Sequence, residues 1–339
     1  MDMMVFSELL CDDDFRKRLA SWINKSDQNA GYMIPHRMPE LYRYSGISKY
    51  SLEDICEKKL TVTAVREYND MFDSEVSIYS SDEELQRLVD KDQEDLRAVG
   101  INSPALADSS KHFFQEEAEL KRNLVDYLGA HMCCFSTTWK SILMWAHYGK
   151  ENRGICIRYS TDDEDSLLKK WAFPVAYCAE PIKVPSLLYG EGETYTYKTE
   201  LAVMISMLCK NSVWSYEKEW RLISPLFPDD DRRSRYSLHN IPKIEEIVLG
   251  YHFMRNCFGE RREEGTKNLT KLLEYIVNER IPLYVVLPET GRFELVKKEI
   301  DSARTRGFIE KEFSDRHIDE KFYTVIQRSF LREICGLRV

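Results

Sequence analysis

The sequence lacks the short motifs that mark several common classes of enzyme. It contains no H-E-x-x-H zinc motif, no Walker phosphate-binding loop and no G-x-S-x-G nucleophile elbow. Zinc proteolysis, P-loop nucleotide hydrolysis and the usual serine hydrolase chemistry therefore have no support. Internal repeats and low-complexity linkers are also missing, so one mixed domain is a simpler interpretation than an array of modules.

Cysteine pairs of the C-x-x-C type are absent too, although the chain has nine cysteines. Most of them lie inside apolar runs such as Met132 to Phe135, which is typical of reduced core thiols. No apolar run approaches the roughly 20 residues that a transmembrane helix needs. Acidic residues from Asp12 to Asp14 follow the short apolar start, unlike in a signal peptide. We therefore expect a cytoplasmic protein without membrane contact, disulfides or structural zinc.

Basic residues are in the minority. The 339 residues include 57 acidic and 48 basic side chains, which give a formal net charge of -9. This balance argues against a generally basic nucleic-acid binder, although a local basic patch is compatible with it. Hydrophobic residues make up 43% of the chain and aromatic residues 12%, which is ample for a folded core.

Hydrophobic patterning predicts short strands with helices between them. The first unit is a strand at Leu41 to Tyr44, a helix at Leu52 to Lys59 capped by Ser51 with Asp54, and a strand at Leu60 to Val65. This alternation favours an α+β fold. The remaining strands are predicted at residues 131–135, 155–159, 175–178, 244–249 and 283–287, the last of them being the final strand.

The same patterns predict three regions along the chain. Residues 1–40 form an N-terminal helical extension, residues 41–290 the main domain, and residues 291–339 a C-terminal helical segment. A polar helical insertion near residues 81–128 interrupts the strands of the main domain.

The segment from Trp214 to Ile223 has the densest set of functional side chains, with the sequence W-S-Y-E-K-E-W-R-L-I. If the chain is extended from Glu219, alternation puts Glu219 and Arg221 on one face and Trp220 on the other. The E-x-E spacing by itself is common, because Glu310-Lys311-Glu312 repeats it. For an isolated motif, an ordinary strand in which Glu219 pairs with Arg221 or a neighbour is the better explanation.

Two further segments present polar side chains near predicted strands. A helix from Trp139 to Tyr148 projects His147 and Tyr148 from adjacent faces near its C-terminal end, where a histidine is more often a core or capping group than a ligand. The turn Asn69 to Asp73 follows a strand directly. Its simplest interpretation is an Asx-type turn with Phe72 buried.

Four ordered motifs resemble a widespread bacterial family of domains of unknown function over roughly residues 41–287. Met71 stands where that family usually has proline. The motifs are Leu41-Tyr42-Arg43-Tyr44, Asn69-Asp70-Met71-Phe72-Asp73, Met144-Trp145-Ala146-His147-Tyr148 with Gly154, and Trp214-Ser215-Tyr216-Glu217-Lys218-Glu219-Trp220-Arg221.

The order of these elements is also similar, more distantly, to the ADP-ribosyltransferase fold, particularly to toxins that modify nucleic acid. The resemblance implies a split mixed β-sheet core, NAD as cofactor, and a nucleic-acid or protein acceptor. It implies that Glu219 holds the ribose and that Glu217 serves the acceptor. The cofactor-binding residues that we infer with it are Arg43, Tyr44, Asn69, Asp70, His147, Tyr148 and Arg221.

Two other functions remain open. A metal-dependent nuclease would use the carboxylates of Asp70, Asp73, Glu217 and Glu219, although the usual catalytic lysine pattern is missing. A non-enzymatic binding module would use the region of Trp214 and Trp220 as a docking surface or as core. The sequence leaves the oligomeric state and the acceptor open.

The enzyme hypothesis predicts convergence in three dimensions. Polar groups scattered by chance over a domain point in many directions, since charged groups are seldom buried without a partner. A shared cleft with Trp220 packed into the core behind it is therefore an informative expectation. The residues expected to line it are Arg43, Asn69, Asp70, His147, Tyr148, Glu217 and Glu219.

Overall fold

A computed structural model describes most of the chain. The described residues are 12–26, 38–70, 72–74, 76–77, 82–100, 131–162, 166–183, 198–224, 235–239, 241–313 and 318–337.

The fold is α+β, with a mixed sheet as its main element, as the sequence predicts. Ten strands belong to this sheet, and two separate strand pairs, β3–β8 and β7–β9, flank it. The strands are β1 Leu41–Ser45, β2 Leu60–Ala64, β3 Val76–Ser77, β4 His131–Ser136, β5 Ile155–Tyr159, β6 Ala172–Pro174, β7 Ala176–Cys178, β8 Ile182–Lys183, β9 Cys209–Asn211, β10 Glu219–Ile223, β11 Arg235–Leu238, β12 Ile244–Leu249, β13 Leu283–Pro288 and β14 Leu295–Glu299.

The sheet divides at β4. Strand β10 pairs with β4 in antiparallel register along its length, from Glu219 opposite Ser136 to Ile223 opposite Met132. On the other edge of β4, β2 pairs only near His131 and Met132, whereas β1 pairs only at Ser136. Strands β1 and β2 therefore separate from each other beside the middle of β4, and a gap opens between them.

The described residues also form helices, several of which pack on the faces of the sheet. They are α1 Asp13–Ser26, α2 Lys49–Cys56, α3 Asp82–Ala98, α4 Ile142–His147, α5 Leu167–Trp171, α6 Lys198–Met207, α7 Arg262–Glu279, α8 Ser302–Phe313 and α9 Tyr323–Glu333. No helix within the described ranges is long and apolar enough to cross a membrane.

Apolar side chains form a core on each face of the sheet. The larger core joins alternate residues of the sheet, among them Trp220 and Leu222 of β10, to helices α2, α7, α8 and α9. The smaller core surrounds α6, whose residues from Leu201 to Met207 are all buried. Because α6 is apolar on every side, it is an internal helix rather than an amphipathic surface helix.

An aromatic cluster forms the third apolar group. Tyr42 and Tyr44 of β1 pack with Met144 and Trp145 of α4, and the rings of Tyr44 and Trp145 meet edge to face at 5.1 Å. This packing fixes α4 beside β1. It thereby places the C-terminal end of α4, with His147 and Tyr148, next to the middle of the sheet.

Local physical chemistry explains where the predicted elements differ from the structure. Helix α2 begins after Ser48, which forms a reciprocal capping box with Ser51, so Ser51 is inside the helix instead of capping it. Asp54, predicted to complete the cap, is buried and accepts a hydrogen bond from Thr61 Oγ1 at 2.6 Å. Helix α4 is shorter than predicted because Ser141 caps it.

The C-terminal region also differs from the prediction. Residues 291–339 contribute strand β14, which pairs antiparallel with β13, so this segment is not purely helical and Leu283–Pro288 is not the final strand. The predicted insertion includes α3, while its part from 101 to 128 lies outside the described residues. The eight cysteines within the described residues are all free thiols.

Gly154 and Gly307 form a matched pair for testing this packing. A Cβ atom at Gly154 would overlap the carbonyl oxygen of Ser45, where β1 meets the start of β5, whereas a Cβ at Gly307 in α8 meets nothing within 4 Å. We expect Gly154→Ala to lower the free energy of unfolding by about 1–3 kcal/mol. Gly307→Ala should raise it by about 0.5–1 kcal/mol, since alanine is the better helix former. Urea denaturation of both variants measures this, and equal effects would contradict the packing at Gly154.

Candidate functional site

Five charged side chains meet on one face of β10, where they are almost completely buried. We refer to Asp73, Lys210, Glu217, Glu219 and Arg221 as the charge cluster; each side chain is at most 4% exposed. Three carboxylates face two cations, so the cluster has a net charge of -1 when every group is ionised. Buried charges are costly unless they are paired, and each of these groups is paired.

The backbone before β10 brings the two glutamates together. A 3-10 turn from Ser212 to Glu217 ends at Lys218, which has a left-handed conformation with φ of 47°. Ser136 Oγ donates to the Glu217 carbonyl oxygen at 2.6 Å, and the Thr137 amide donates to the Lys218 carbonyl oxygen at 3.1 Å. These bonds attach the turn to the end of β4. Glu217 and Glu219 therefore both reach the same cation.

Arg221 is the most highly bonded member of the cluster. Its Nη1 and Nη2 atoms donate to the two oxygens of Asp73 at 2.8 and 2.7 Å, while Nε donates to Glu219 Oε1 at 2.8 Å. Nη2 also donates to Glu219 Oε2, and Nη1 donates to the carbonyl oxygen of Met207. All five N–H donors of the guanidinium are thus in use. The predicted Glu219–Arg221 pair on one face of β10 is confirmed, with Trp220 in the core behind it.

Lys210 is the second cation, and sequence analysis missed it. It lies on the short strand β9, which pairs with β7. Its Nζ atom donates to Glu217 Oε2 at 2.6 Å and to Glu219 Oε2 at 3.0 Å. The available signal was a charged residue directly after residues 201–209, which are apolar except for Ser206. A charged residue in such a place is buried only when it is paired.

The two glutamates have pKa values that are shifted in opposite directions. Burial raises the pKa of Glu217 above its ordinary value, against the attraction of Lys210. Burial would also raise the pKa of Glu219, but Arg221 and Lys210 outweigh it and lower the pKa to about 2. Two acids with different tasks are often distinguished in this way. Glu219 is suited to remain ionised, and Glu217 to exchange a proton.

Tyr148 connects α4 to the cluster. Its hydroxyl donates to Glu217 Oε1 at 2.6 Å. Burial and this acceptor raise the pKa of Tyr148 well above its ordinary value, while a hydrogen bond from Asn69 opposes the shift. His147 lies beside it but is exposed, and its Nδ1 atom is 3.0 Å from the hydroxyl of Tyr216. His147 is therefore neither a core residue nor a hydrogen-bond partner of the charge cluster.

A cavity of about 320 Å³ lies against the cluster, in the gap where β1 and β2 separate. It brings together six of the predicted site residues: Arg43, Tyr44, Asn69, Tyr148, Glu217 and Glu219. The cavity is also lined by residues that the sequence analysis did not predict, among them Lys210, Tyr68, Cys134 and Arg235. The predicted residues Asp70, His147 and Arg221 are not part of its lining.

Arg43 enters the cavity wall from the opposite face of the sheet. In register it lies opposite Ile157, a residue of the larger core, whereas its neighbour Tyr42 lies opposite Ser136 on the face of Glu219. The guanidinium donates to Asp54 Oδ2 at 3.2 Å. Arg43 thus already has a structural partner that joins β1 to α2. Its role as a cofactor ligand stays a prediction.

The turn after β2 also differs in part from its prediction. Asp70 Oδ1 accepts from the Phe72 amide at 3.0 Å, which is the expected Asx turn, but Phe72 is 58% exposed rather than buried. Asp70 Oδ2 is buried without a hydrogen-bond partner. Within the described ranges, no three His, Cys, Asp or Glu residues are placed to hold a metal ion.

Comparison with known proteins adds one relationship. A family described as "Protein of unknown function (DUF2971)" matches residues 144–222. This confirms the resemblance to a family of uncharacterised domains over a shorter span than residues 41–287. The matched segment contains every member of the charge cluster except Asp73. No curated protein and no solved structure gives a significant match, so the similarity to ADP-ribosyltransferases stays a prediction.

Replacing Arg221 tests the cohesion of the charge cluster. Arg221→Met leaves Asp73 and Glu219 buried with fewer donors, so we expect the free energy of unfolding to fall by about 3–5 kcal/mol. Arg306 is a suitable control, because its pair with Glu310 is half-exposed. Arg306→Met should cost far less, because a solvent-screened surface pair contributes little to stability. Equal losses in denaturant titrations would show that the buried pairing contributes nothing beyond an ordinary surface pair.

The low pKa of Glu219 predicts an acid-dependent stability. A folded-state pKa of about 2, against an ordinary 4.5, means that this stabilisation is complete above pH 4.5 and is lost as the pH falls towards 2. Glu219→Gln lacks this titration. Its unfolding free energy should therefore fall less steeply over that window, by up to about 1.4 kcal/mol per pH unit. Urea titrations at several pH values measure the slopes; parallel lines for the two proteins would contradict the assignment.

Proposed function

We propose that the chain is an ADP-ribosyltransferase-like enzyme that cleaves the nicotinamide–ribose bond of NAD and transfers the ADP-ribosyl group to an acceptor. The observation that supports it is the pair of buried carboxylates Glu217 and Glu219. Both line the cavity and accept a hydrogen bond from Lys210, and their pKa values are shifted in opposite directions. The distant resemblance between the order of the strands and the transferase fold agrees with this proposal.

Glu219 stabilises the charge that develops during the reaction. Cleavage of the bond between ribose C1′ and the nicotinamide nitrogen builds positive charge on the sugar, as in glycoside hydrolysis. A carboxylate that is fixed and ionised beside the sugar stabilises the transition state more than the ground state. Arg221 holds Glu219 in place through two hydrogen bonds, and burial removes competing water.

Glu217 takes up the proton that the acceptor releases. When the acceptor's nucleophile forms its bond to C1′, the bonding electrons of the broken bond leave with nicotinamide, and the acceptor's proton passes to the Glu217 carboxylate. The charge cluster then changes from a net -1 to zero as the positive charge on the sugar disappears. The raised pKa of Glu217 favours this uptake, and Tyr148 positions the carboxylate through its hydroxyl.

The cavity fits part of the dinucleotide. Its volume of about 320 Å³ is at the lower end of the range for small-molecule sites. It therefore matches the nicotinamide and its ribose, with Tyr44 and Tyr148 as aromatic walls and Asn69 as a polar contact. Arg235 lines the cavity and forms no ion pair with a described residue. Since Arg43 pairs with Asp54, Arg235 is the better candidate for a phosphate of NAD.

The two alternative functions have less support. Asp73, Glu217 and Glu219 are each paired with Lys210 or Arg221, so a metal ion would have to displace these cations. A binding module would use Trp214 and Trp220 as a docking surface. Trp220 lies in the core, so only the half-buried Trp214 could contact a partner. Each alternative nevertheless defines one arm of the test below.

Nicotinamide release from NAD is the direct test. The purified full chain should consume NAD equally well with and without EDTA, and Glu219→Gln should lower the rate about a hundredfold to a thousandfold. Glu217→Gln should reduce transfer to an acceptor more than it reduces hydrolysis of NAD. An attacking water molecule can pass its proton to bulk water, whereas the acceptor's nucleophile depends on Glu217.

The control variants come from the second E-K-E tripeptide of the chain. Glu310→Gln and Glu312→Gln alter the same motif in α8, outside the cavity wall, and should leave the rate unchanged. Metal-dependent cleavage of nucleic acid without NAD consumption would replace the proposal by the nuclease. If neither activity is detected, the binding module is the hypothesis that remains.

A further inference from the structure

A second cavity lies next to the charge cluster and shares one residue with the first. It has a volume of about 310 Å³ and is lined partly by β7 and β9. Lys210 belongs to the walls of both cavities. The other residues of the second wall are Phe72, Cys178, Ala179, Glu180, Pro181, Cys209 and Asn211.

The charge of the second cavity is negative. Glu180 is exposed and forms no ion pair with a described residue. The Lys210 ammonium does not offset it, because its Nζ atom is bound to Glu217 and Glu219. The side-chain oxygen of Asn211 accepts from the Val213 amide at 3.0 Å, so this oxygen already has a donor. A free carboxylate is thus the dominant polar group of the wall.

An exposed aromatic ring stands in the same wall. Phe72 is 58% exposed, an unusual state for a phenylalanine inside a compact turn. The backbone of Phe72 is held in place, because its amide donates to Asp70 Oδ1 and the next residue, Asp73, is bound by Arg221. The charge cluster therefore fixes the turn that presents this ring.

An aromatic face and a free carboxylate together favour an organic cation. The ring attracts a guanidinium or ammonium group through its quadrupole, and the carboxylate adds a charge-assisted hydrogen bond. A phosphate-rich ligand would be repelled by Glu180. The first cavity has the opposite character at Arg235, which suits the phosphates of a nucleotide.

We propose that the second cavity is a docking subsite for a basic side chain, lysine or arginine, of a protein acceptor. This inference rests on the proposed function and adds the class of the acceptor to it. The subsite binds a basic residue beside the modified one and does not take part in the bond changes. Glu180 and Phe72 are accordingly specificity residues and not catalytic residues.

Peptide binding tests the subsite without NAD. A fluorescently labelled pentalysine or an arginine-rich pentapeptide should bind the full chain, with an affinity that falls as salt rises. Glu180→Gln and Phe72→Ala should each weaken binding roughly two- to fivefold, and the double variant roughly tenfold. Glu260→Gln and Phe293→Ala are matched controls on exposed residues elsewhere, and they should have no effect.

The two proposals fail in different ways. If the wild-type chain releases no nicotinamide but binds the peptides through Glu180 and Phe72, the transferase is wrong and the cation subsite stands. If nicotinamide is released and peptide binding is indifferent to both substitutions, the subsite is wrong and the transferase stands. In an active enzyme, Glu180→Gln should raise KM for a basic peptide acceptor while hydrolysis of NAD without acceptor is unchanged.

Two further outcomes would overturn the subsite. One is tighter binding of a single-stranded oligonucleotide than of either peptide at the same salt concentration, which would indicate a nucleic-acid acceptor. The other is an unchanged KM for basic peptides in the double variant Glu180→Gln, Phe72→Ala. Circular dichroism of each variant shows that the fold is intact, so a loss of binding is attributable to the altered side chains.

Discussion

The site depends on the ion pairs and hydrogen bonds of the buried Arg221. Its guanidinium is fully buried, and all five of its N–H donors are used by Asp73, Glu219 and the carbonyl oxygen of Met207. A buried guanidinium has a large desolvation cost, which only such complete bonding offsets. The arrangement therefore links three separate parts of the chain: the turn after β2, the end of α6 and strand β10.

The acid pair follows from this arrangement. Arg221 and Lys210 share Glu219, so its pKa is low, whereas Glu217 interacts with one cation and one tyrosine and its pKa is raised. Two carboxylates two residues apart thereby acquire different proton affinities. This difference is a property of the buried surroundings, because the same E-K-E tripeptide in α8 has none of these partners.

The cluster also organises the two cavities around it. Asp73 is bound by Arg221, which fixes the turn with Asn69 on one side and Phe72 on the other. Asn69 lines the cavity between β1 and β2, and Phe72 lines the cavity beside β7 and β9. A single set of ion pairs thus connects the proposed reaction site with the proposed docking subsite, and Lys210 forms part of both walls.

The sequence alone determined the strands β1, β2, β4, β5, β7, β10, β12 and β13, because apolar, β-branched and aromatic runs identify them locally. It also determined that Glu219 and Arg221 share a face, since side chains alternate along any strand. Tertiary structure decided the rest. Lys210 and Asp73 join the cluster only through packing between segments far apart in the chain, and the face of Arg43 depends on how β1 pairs with β5. No local pattern encodes those partners, because strand register and burial are set by the whole core at once.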